Sequence, residues 1–167
     1  AEKKDSQGLC FVGEVNVHDF LKSMIKPKKG KIITTGGNIV GEHEGAMFYT
    51  IGQRHGIGSP GGGMPYYVTG KDIKKNILYV AEGSGDSELY KKEMDISECS
   101  WVSGTAPKFP VACKARIRYR QPLEVCTIVK KGKKVHGVFR KLQRAVAPGQ
   151  SIVFYQGDTV TGGGIIT

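Results

Sequence analysis

Val111-Ala112-Cys113-Lys114-Ala115-Arg116-Ile117-Arg118-Tyr119-Arg120 is the stretch on which the fold turns. Its odd positions are apolar or aromatic, while Lys114, Arg116, Arg118 and Arg120 occupy even ones. Side chains alternate along a strand, so the pattern predicts one face on a core and, on the other, four cations about 6–7 Å apart. Gln121-Pro122 ends the strand. A solvated strand face usually mixes acids among its cations to avoid like-charge repulsion. The unbroken row therefore favours phosphate contact, with a plain solvated face as the alternative.

Similar short strands are predicted at Asp95-Val102, Glu124-Val129, Val135-Phe139, Ser151-Tyr155 and Thr159-Thr167. They are separated by turn signals such as Lys131-Gly132-Lys133, Pro148-Gly149-Gln150 and Gln156-Gly157-Asp158. Six strands at this spacing argue for a small antiparallel barrel, whose closure removes exposed edges. The charge agrees with a polyanion partner. Of 25 Lys and Arg against 15 acids, 12 basic residues and only Glu124 among the acids fall between Lys108 and Arg144. The whole net charge of +10 sits there, where a charge needed only for solubility would be scattered.

The first half is organised differently. Val17, Phe20, Leu21, Met24 and Ile25 recur at helical spacing behind Asn16 as a cap, with Asp19 in capping-box position and Pro27 as the stop. That stripe reads as core packing. Lys26, Lys28, Lys29 and Lys31 complement the helix dipole or touch phosphate, and the sequence leaves both open. Two hairpins follow, Lys31-Thr34 with Ile39-Gly41 and Tyr66-Thr69 with Ile77-Ala81. Between them Tyr49-Thr50-Ile51-Gly52-Gln53-Arg54 leads to Gly61-Gly62-Gly63. This is no P-loop, since no Gly-Lys-Ser/Thr follows, and no dinucleotide fingerprint, since no long helix opens after it.

Length and composition set the outer limits. The 167 residues make one domain or two small ones, and Gly83-Ser84-Gly85-Asp86-Ser87 suits a boundary between modules. With 24 Gly, about twice the usual share, a turn-rich β protein is favoured. No run approaches the roughly 18 apolar residues of a membrane span, and Ala1-Glu2-Lys3-Lys4-Asp5 lacks a signal-peptide core. The chain reads as soluble and intracellular.

Cys10, Cys99, Cys113 and Cys126 form no CxxC pair and have no histidine at ligand spacing, which leaves a zinc site without support. Cys99, Cys113 and Cys126 read as small buried hydrophobes. Cys10 lies in Gly8-Leu9-Cys10-Phe11-Val12-Gly13, where flanking glycines would let a substrate approach, and either an incidental or a chemical thiol fits. His18, His43, His55 and His136 read as structural or solvent-facing. Trp101 and the strand-end tyrosines read as core and rim, with base stacking open for Tyr119.

Asp5-Ser6-Gln7-Gly8-Leu9-Cys10-Phe11-Val12-Gly13-Glu14 closely resembles the second-cysteine motif of the tRNA-specific 2-thiouridylases. Gly41-Glu42-His43-Glu44-Gly45, Tyr49 to Arg54, Gly70-Lys71-Asp72, Asn76 to Val80, Arg118-Tyr119-Arg120-Gln121, Ala147 to Gln150 and Gly162 to Ile166 continue the resemblance in the family's order. It implies a mainly β chain. Residues 1–10 would be a remnant of a catalytic domain, 11–83 a small central α+β tRNA-binding domain, and 84–167 a six-stranded antiparallel β-barrel similar to those of translation factors. In that family ATP, with Mg, activates C2 of the wobble uridine as an adenylate. A persulfide on the motif cysteine, here Cys10, then delivers sulfur while an earlier cysteine helps release it, and a disulfide bond is among the features implied. The resemblance places tRNA contacts at Arg118, Tyr119 and Gln150, to which the alternation argument adds Lys114, Arg116 and Arg120.

The family's Ser-Gly-Gly-x-Asp-Ser pyrophosphate loop is absent from this stretch. The chain is accordingly expected to hold no cofactor of its own and to be inactive alone. Its expected partners are tRNA, a sulfur-donor protein and an N-terminal ATP-pyrophosphatase domain in cis, with no membrane. Bacterial cytoplasm is the expected location and mitochondria the alternative. A different class of reading is a stand-alone RNA-binding β-barrel with no chemistry; a small-molecule barrel is weaker, because the basic segment is one-sided.

Overall fold

A computed structural model of the chain describes residues 17–58, 63–119 and 121–167. Cys10, the Asn16 cap, Gly61, Gly62 and Arg120 lie outside the described residues. Helix α1 spans Val17–Met24. Strands β1 (Gly30–Thr34), β2 (Ile39–His43), β3 (Tyr66–Asp72) and β4 (Ile77–Glu82) form a sheet in the order β2-β1-β4-β3. The two hairpins are present as antiparallel pairs. They meet through a parallel pairing of β1 with β4, in which Ile32 faces Leu78 and Thr34 faces Val80. These central strands carry the core of the sheet, with Ile32, Leu78 and Val80 buried against Val68, Phe48, Tyr49 and Ile57.

The apolar stripe of α1 differs from its expectation as core. Leu21 packs against the sheet core, whereas Phe20 and Ile25 are partly exposed and Met24 is 71% exposed. Eight residues make about two turns, so little of the helix can face a small sheet. The helix is held at its C-terminal end by an ion pair of Lys22 with Glu44 and by the Lys28 N–H donating to the Glu44 carbonyl at 2.8 Å.

The second sheet closes on itself. Strands β5 (Tyr90–Trp101), β6 (Val111–Arg116), β7 (Glu124–Lys131), β8 (Lys134–Arg144), β9 (Ser151–Gln156) and β10 (Thr159–Ile166) form a barrel in the order β10-β5-β8-β7-β6-β9. Every pairing is antiparallel, as the strand spacing leads one to expect. Ile96, Ala115, Cys126, Ile128, Phe139, Ile152, Phe154 and Ile166 fill its interior. β5 and β8 are longer than their apolar alternation suggests, because Tyr90 pairs with Arg144 and Lys91 with Gln143 beyond the apolar run.

β6 is shorter than expected. It ends at Arg116, not Arg120. Ile117 still enters the core, but the chain then bends, and the Gln121 N–H closes a turn on the Arg118 carbonyl at 3.2 Å. Pro122 has no N–H to continue a ladder.

Candidate nucleic-acid interface

The bend after β6 turns Arg118 inward. Its Nε donates to Gln150 Oε1 at 3.2 Å, and its Nη2 donates to the carbonyls of Ile51 at 3.0 Å and Ala145 at 3.2 Å. Burial, and then the neighbouring charge of Arg144, lower its pKa, yet a guanidinium remains protonated throughout the physiological range. The expectation of four cations in line on one strand face is therefore corrected. Lys114 and Arg116 stand on that face, Arg118 is half-buried between the two sheets, and Arg120 lies outside the described residues.

Arg118 joins three stretches that the sequence marks separately: the Tyr49 to Arg54 motif, the Arg118-Tyr119 motif and the Pro148-Gly149-Gln150 turn. The first reaches the barrel through Gly52, whose φ of +85° favours glycine and where a Cβ would come within 2.4 Å of Ala145 Cβ. The loop is tied to β3 by the Gly52 N–H donating to the Val68 carbonyl and the Val68 N–H donating to the Gln53 carbonyl. Arg144 adds a second link, its guanidinium 4.8 Å from the centroid of the Tyr67 ring on β3.

On the outer face of β6, Lys114 is exposed and Arg116 lies over Tyr155 of β9, 5.5 Å from the ring centroid. Arg116 Nε is buried without a hydrogen-bond partner. Tyr119 is exposed, as a stacking residue would be. Glu124, the single acid of the basic segment, is engaged by Lys141 at 3.5 Å. Of the lysines after α1, Lys29 pairs with Glu42 at 3.5 Å, and the backbone beneath is held by Asn76 Nδ2 donating to the carbonyls of Lys28 and Lys29 at 2.9 Å.

The remaining candidates read as structural. His43 is buried, accepts from the Gly45 N–H on Nδ1 at 2.9 Å, and has its pKa lowered by that burial. His136 sits between two acids of β5, with Nδ1 2.6 Å from Asp95 and Nε2 3.0 Å from Glu93. Cys99, Cys113 and Cys126 are free thiols. Burial raises the Cys99 pKa. Cys113 and Cys126 face each other across β6 and β7, and their contact pushes the buried Cys126 thiol up. Among the described residues no group of His, Cys, Asp and Glu is arranged to hold a metal ion, and no helix is long and apolar enough to cross a membrane. Trp101 stacks on Phe154, with centroids 5.6 Å apart, beside a cavity of about 430 Å³ at one end of the barrel.

Sequence reading missed Arg144 and Tyr67 as a link between the sheets, Tyr155 beneath Arg116, and Arg140, exposed on β8. A usable signal existed for Arg140: the Lys131-Gly132-Lys133 turn sets the β7–β8 register, from which residues on the two strands can be paired by counting. Tyr155 and Tyr67 are brought in by pairings distant in sequence and leave no local sign.

Comparison with known proteins adds three findings. Residues 18–82 match the family model described as tRNA methyl transferase PRC-barrel domain, and residues 91–166 match that described as aminomethyltransferase beta-barrel domain. The chain is 44% identical over 167 residues to the tRNA-specific 2-thiouridylase MnmA of Geobacillus thermodenitrificans and 45% identical over 170 residues to that of Streptococcus thermophilus, each time across 99% of its own length. A relative of the same name from Marinobacter nauticus is 44% identical over 171 residues. The chain spans 45%, 46% and 43% of these three relatives, less than half of each.

Proposed function

Since this chain belongs to the tRNA-specific 2-thiouridylase family, we propose that it supplies the tRNA-docking surface and the sulfur-carrying cysteine of an enzyme that thiolates C2 of the wobble uridine. The observation that carries this reading is identity of 44–45% running over 99% of the chain to relatives named for that reaction. The alternative of an RNA-binding barrel without chemistry is not favoured by such relatives.

In this reading the two sheets act as one docking body, because Arg118 and the Arg144–Tyr67 contact join them. Lys114, Arg116 and Tyr119 supply outward contacts, and Arg120 is included among the RNA contacts on the strength of the sequence alone. Gln150 keeps its amide N–H groups for RNA while its oxygen accepts from Arg118. Cys10 carries the transferable sulfur as a persulfide, loaded by a sulfur-donor protein. The outer sulfur forms its bond to C2 as the adenylated oxygen leaves with AMP. A second cysteine thiolate of the enzyme then attacks the Cys10 sulfur, so that the S–S bond breaks with its electron pair going to the sulfur on C2 and a disulfide is left on the enzyme. ATP and Mg act in an ATP-pyrophosphatase domain of the family, and the setting is the bacterial cytoplasm.

The test is the 2-thiouridine content of tRNA, measured by mass spectrometry of nucleosides, from cells whose protein carries Cys10→Ser. The reading predicts loss of the modified nucleoside with the protein still folded and present. Unchanged 2-thiouridine would overturn the role of Cys10.

A further inference from the structure

We infer that RNA phosphates are gripped on the barrel by a row that crosses its strands, Tyr155, Lys114 and Arg140 with Arg116 beside it, and not by a line running along β6. The inference rests on the reading of the chain as a tRNA-docking body and names the site of docking.

Register places the row. Lys114 is paired with Tyr155 of β9 on one side and with Val125 of β7 on the other. The β7–β8 ladder runs without a shift from Lys131 opposite Lys134 to Cys126 opposite Phe139, so the next step along both strands sets Val125 beside Arg140. Ala115, Cys126, Phe139 and Phe154 fill the core, and alternation therefore turns Lys114, Val125, Arg140 and Tyr155 outward. Neighbouring strands lie about 4.8 Å apart, which separates the stems of Lys114 and Arg140 by about 10 Å across the small, uncharged Val125. Arg116 stands two residues along β6 on the same face.

Two features of this row call for a polyanion, and the Arg116–Tyr155 contact further favours RNA over a membrane. Among the described residues no carboxylate pairs with Lys114, Arg116 or Arg140, while the nearby Glu124 is already engaged by Lys141. A cluster of uncompensated cations raises the energy of the free protein, and phosphates that displace condensed counterions relieve it. Arg116 is also set in place before any ligand arrives, since the Tyr155 ring supports its guanidinium and its buried Nε has no acceptor. A guanidinium stacked on an aromatic ring presents its N–H fork in a fixed direction, which suits a phosphate oxygen and saves the ordering cost of a free side chain. Finally, Tyr155 is partly buried beneath Arg116 and cannot insert into a bilayer, which favours RNA over an anionic membrane.

The experiment is a salt titration of tRNA binding to the 167-residue chain by fluorescence anisotropy. With three or four phosphates engaged, log affinity should fall against log salt with a slope near −3. The Lys114→Gln, Arg140→Gln double variant should flatten the slope by roughly 1.5 to 2 units. Tyr155→Leu, which frees Arg116, should flatten it by about one unit. Lys74→Gln with Lys75→Gln removes the same charge from the β3–β4 turn and should leave the slope within about half a unit. Equal flattening by both double variants, or none from Lys114 and Arg140, would overturn the row while leaving tRNA docking intact. A parent chain that binds no tRNA, or that binds phosphatidylserine vesicles which tRNA cannot displace, would overturn the row and the docking reading together.

Discussion

Arg118 Nε donates to Gln150 Oε1 at 3.2 Å, and through this contact a residue just beyond β6 and the turn before β9 become one unit with the loop at Ile51. The guanidinium also donates to the backbone carbonyls of Ile51 and Ala145, one from each sheet's side of the junction. Its first duty is thus to fix how the two sheets meet.

Arg118→Ala should cost about 2 kcal/mol of stability, the scale of charge-assisted hydrogen bonds lost together with exposure of their acceptors. Arg118→Lys should recover less than half of that, because an ammonium cannot bridge three acceptors held in different directions. Urea unfolding followed by circular dichroism measures both. An Arg118→Ala midpoint equal to that of the parent would show that the junction does not depend on this side chain.

Gly52→Ala should destabilise by about 1–3 kcal/mol, from a positive φ combined with a clash against Ala145. Ala145 itself has φ of 56°, so Ala145→Gly should be neutral or stabilising, and the double variant should recover part of the Gly52→Ala loss. The coupling is read from a double-mutant cycle of thermal midpoints. Additive effects would mean that the two residues do not meet.

Stability should peak in mildly acid solution because of His136. Its hydrogen bond to Asp95 raises its folded pKa, so the stabilisation is complete below the unfolded value near 6.5 and is lost as pH rises through the folded value. The same bond lowers the Asp95 pKa, so that contribution is present above the unfolded value near 3.9 and is lost as pH falls through the folded one. Thermal midpoints of the parent from pH 2 to 9 should therefore decline on both sides, below about pH 4 and above about pH 6.5, and His136→Asn should remove the decline on the alkaline side. A variant with the parent's alkaline limb would place the titration elsewhere.

The barrel was legible because alternation and turn residues are local signals. Cys113, Ala115 and Ile117 turn inward as the pattern predicts. Arg118 was not legible as a clamp. The alternation rule holds only while the strand lasts, and its end is set by acceptors on a loop 67 residues away in sequence. The parallel pairing of β1 with β4 was equally hidden, since hairpin signals report only antiparallel neighbours. His136 meets Asp95 across 41 residues, by a register that no spacing rule reveals. In α1 the periodicity gave the helix, yet only tertiary contact decides that Leu21 is covered while Met24 is not.

Hydrogen–deuterium exchange of the chain with and without tRNA tests most directly whether this body docks RNA. The account predicts slowed exchange in β6, in the facing parts of β7 and β8, and in the Pro148-Gly149-Gln150 turn, with the cavity end at Trp101 and Val102 unaffected. Slowing confined to the Trp101 end, or no change anywhere at saturating tRNA, would contradict it.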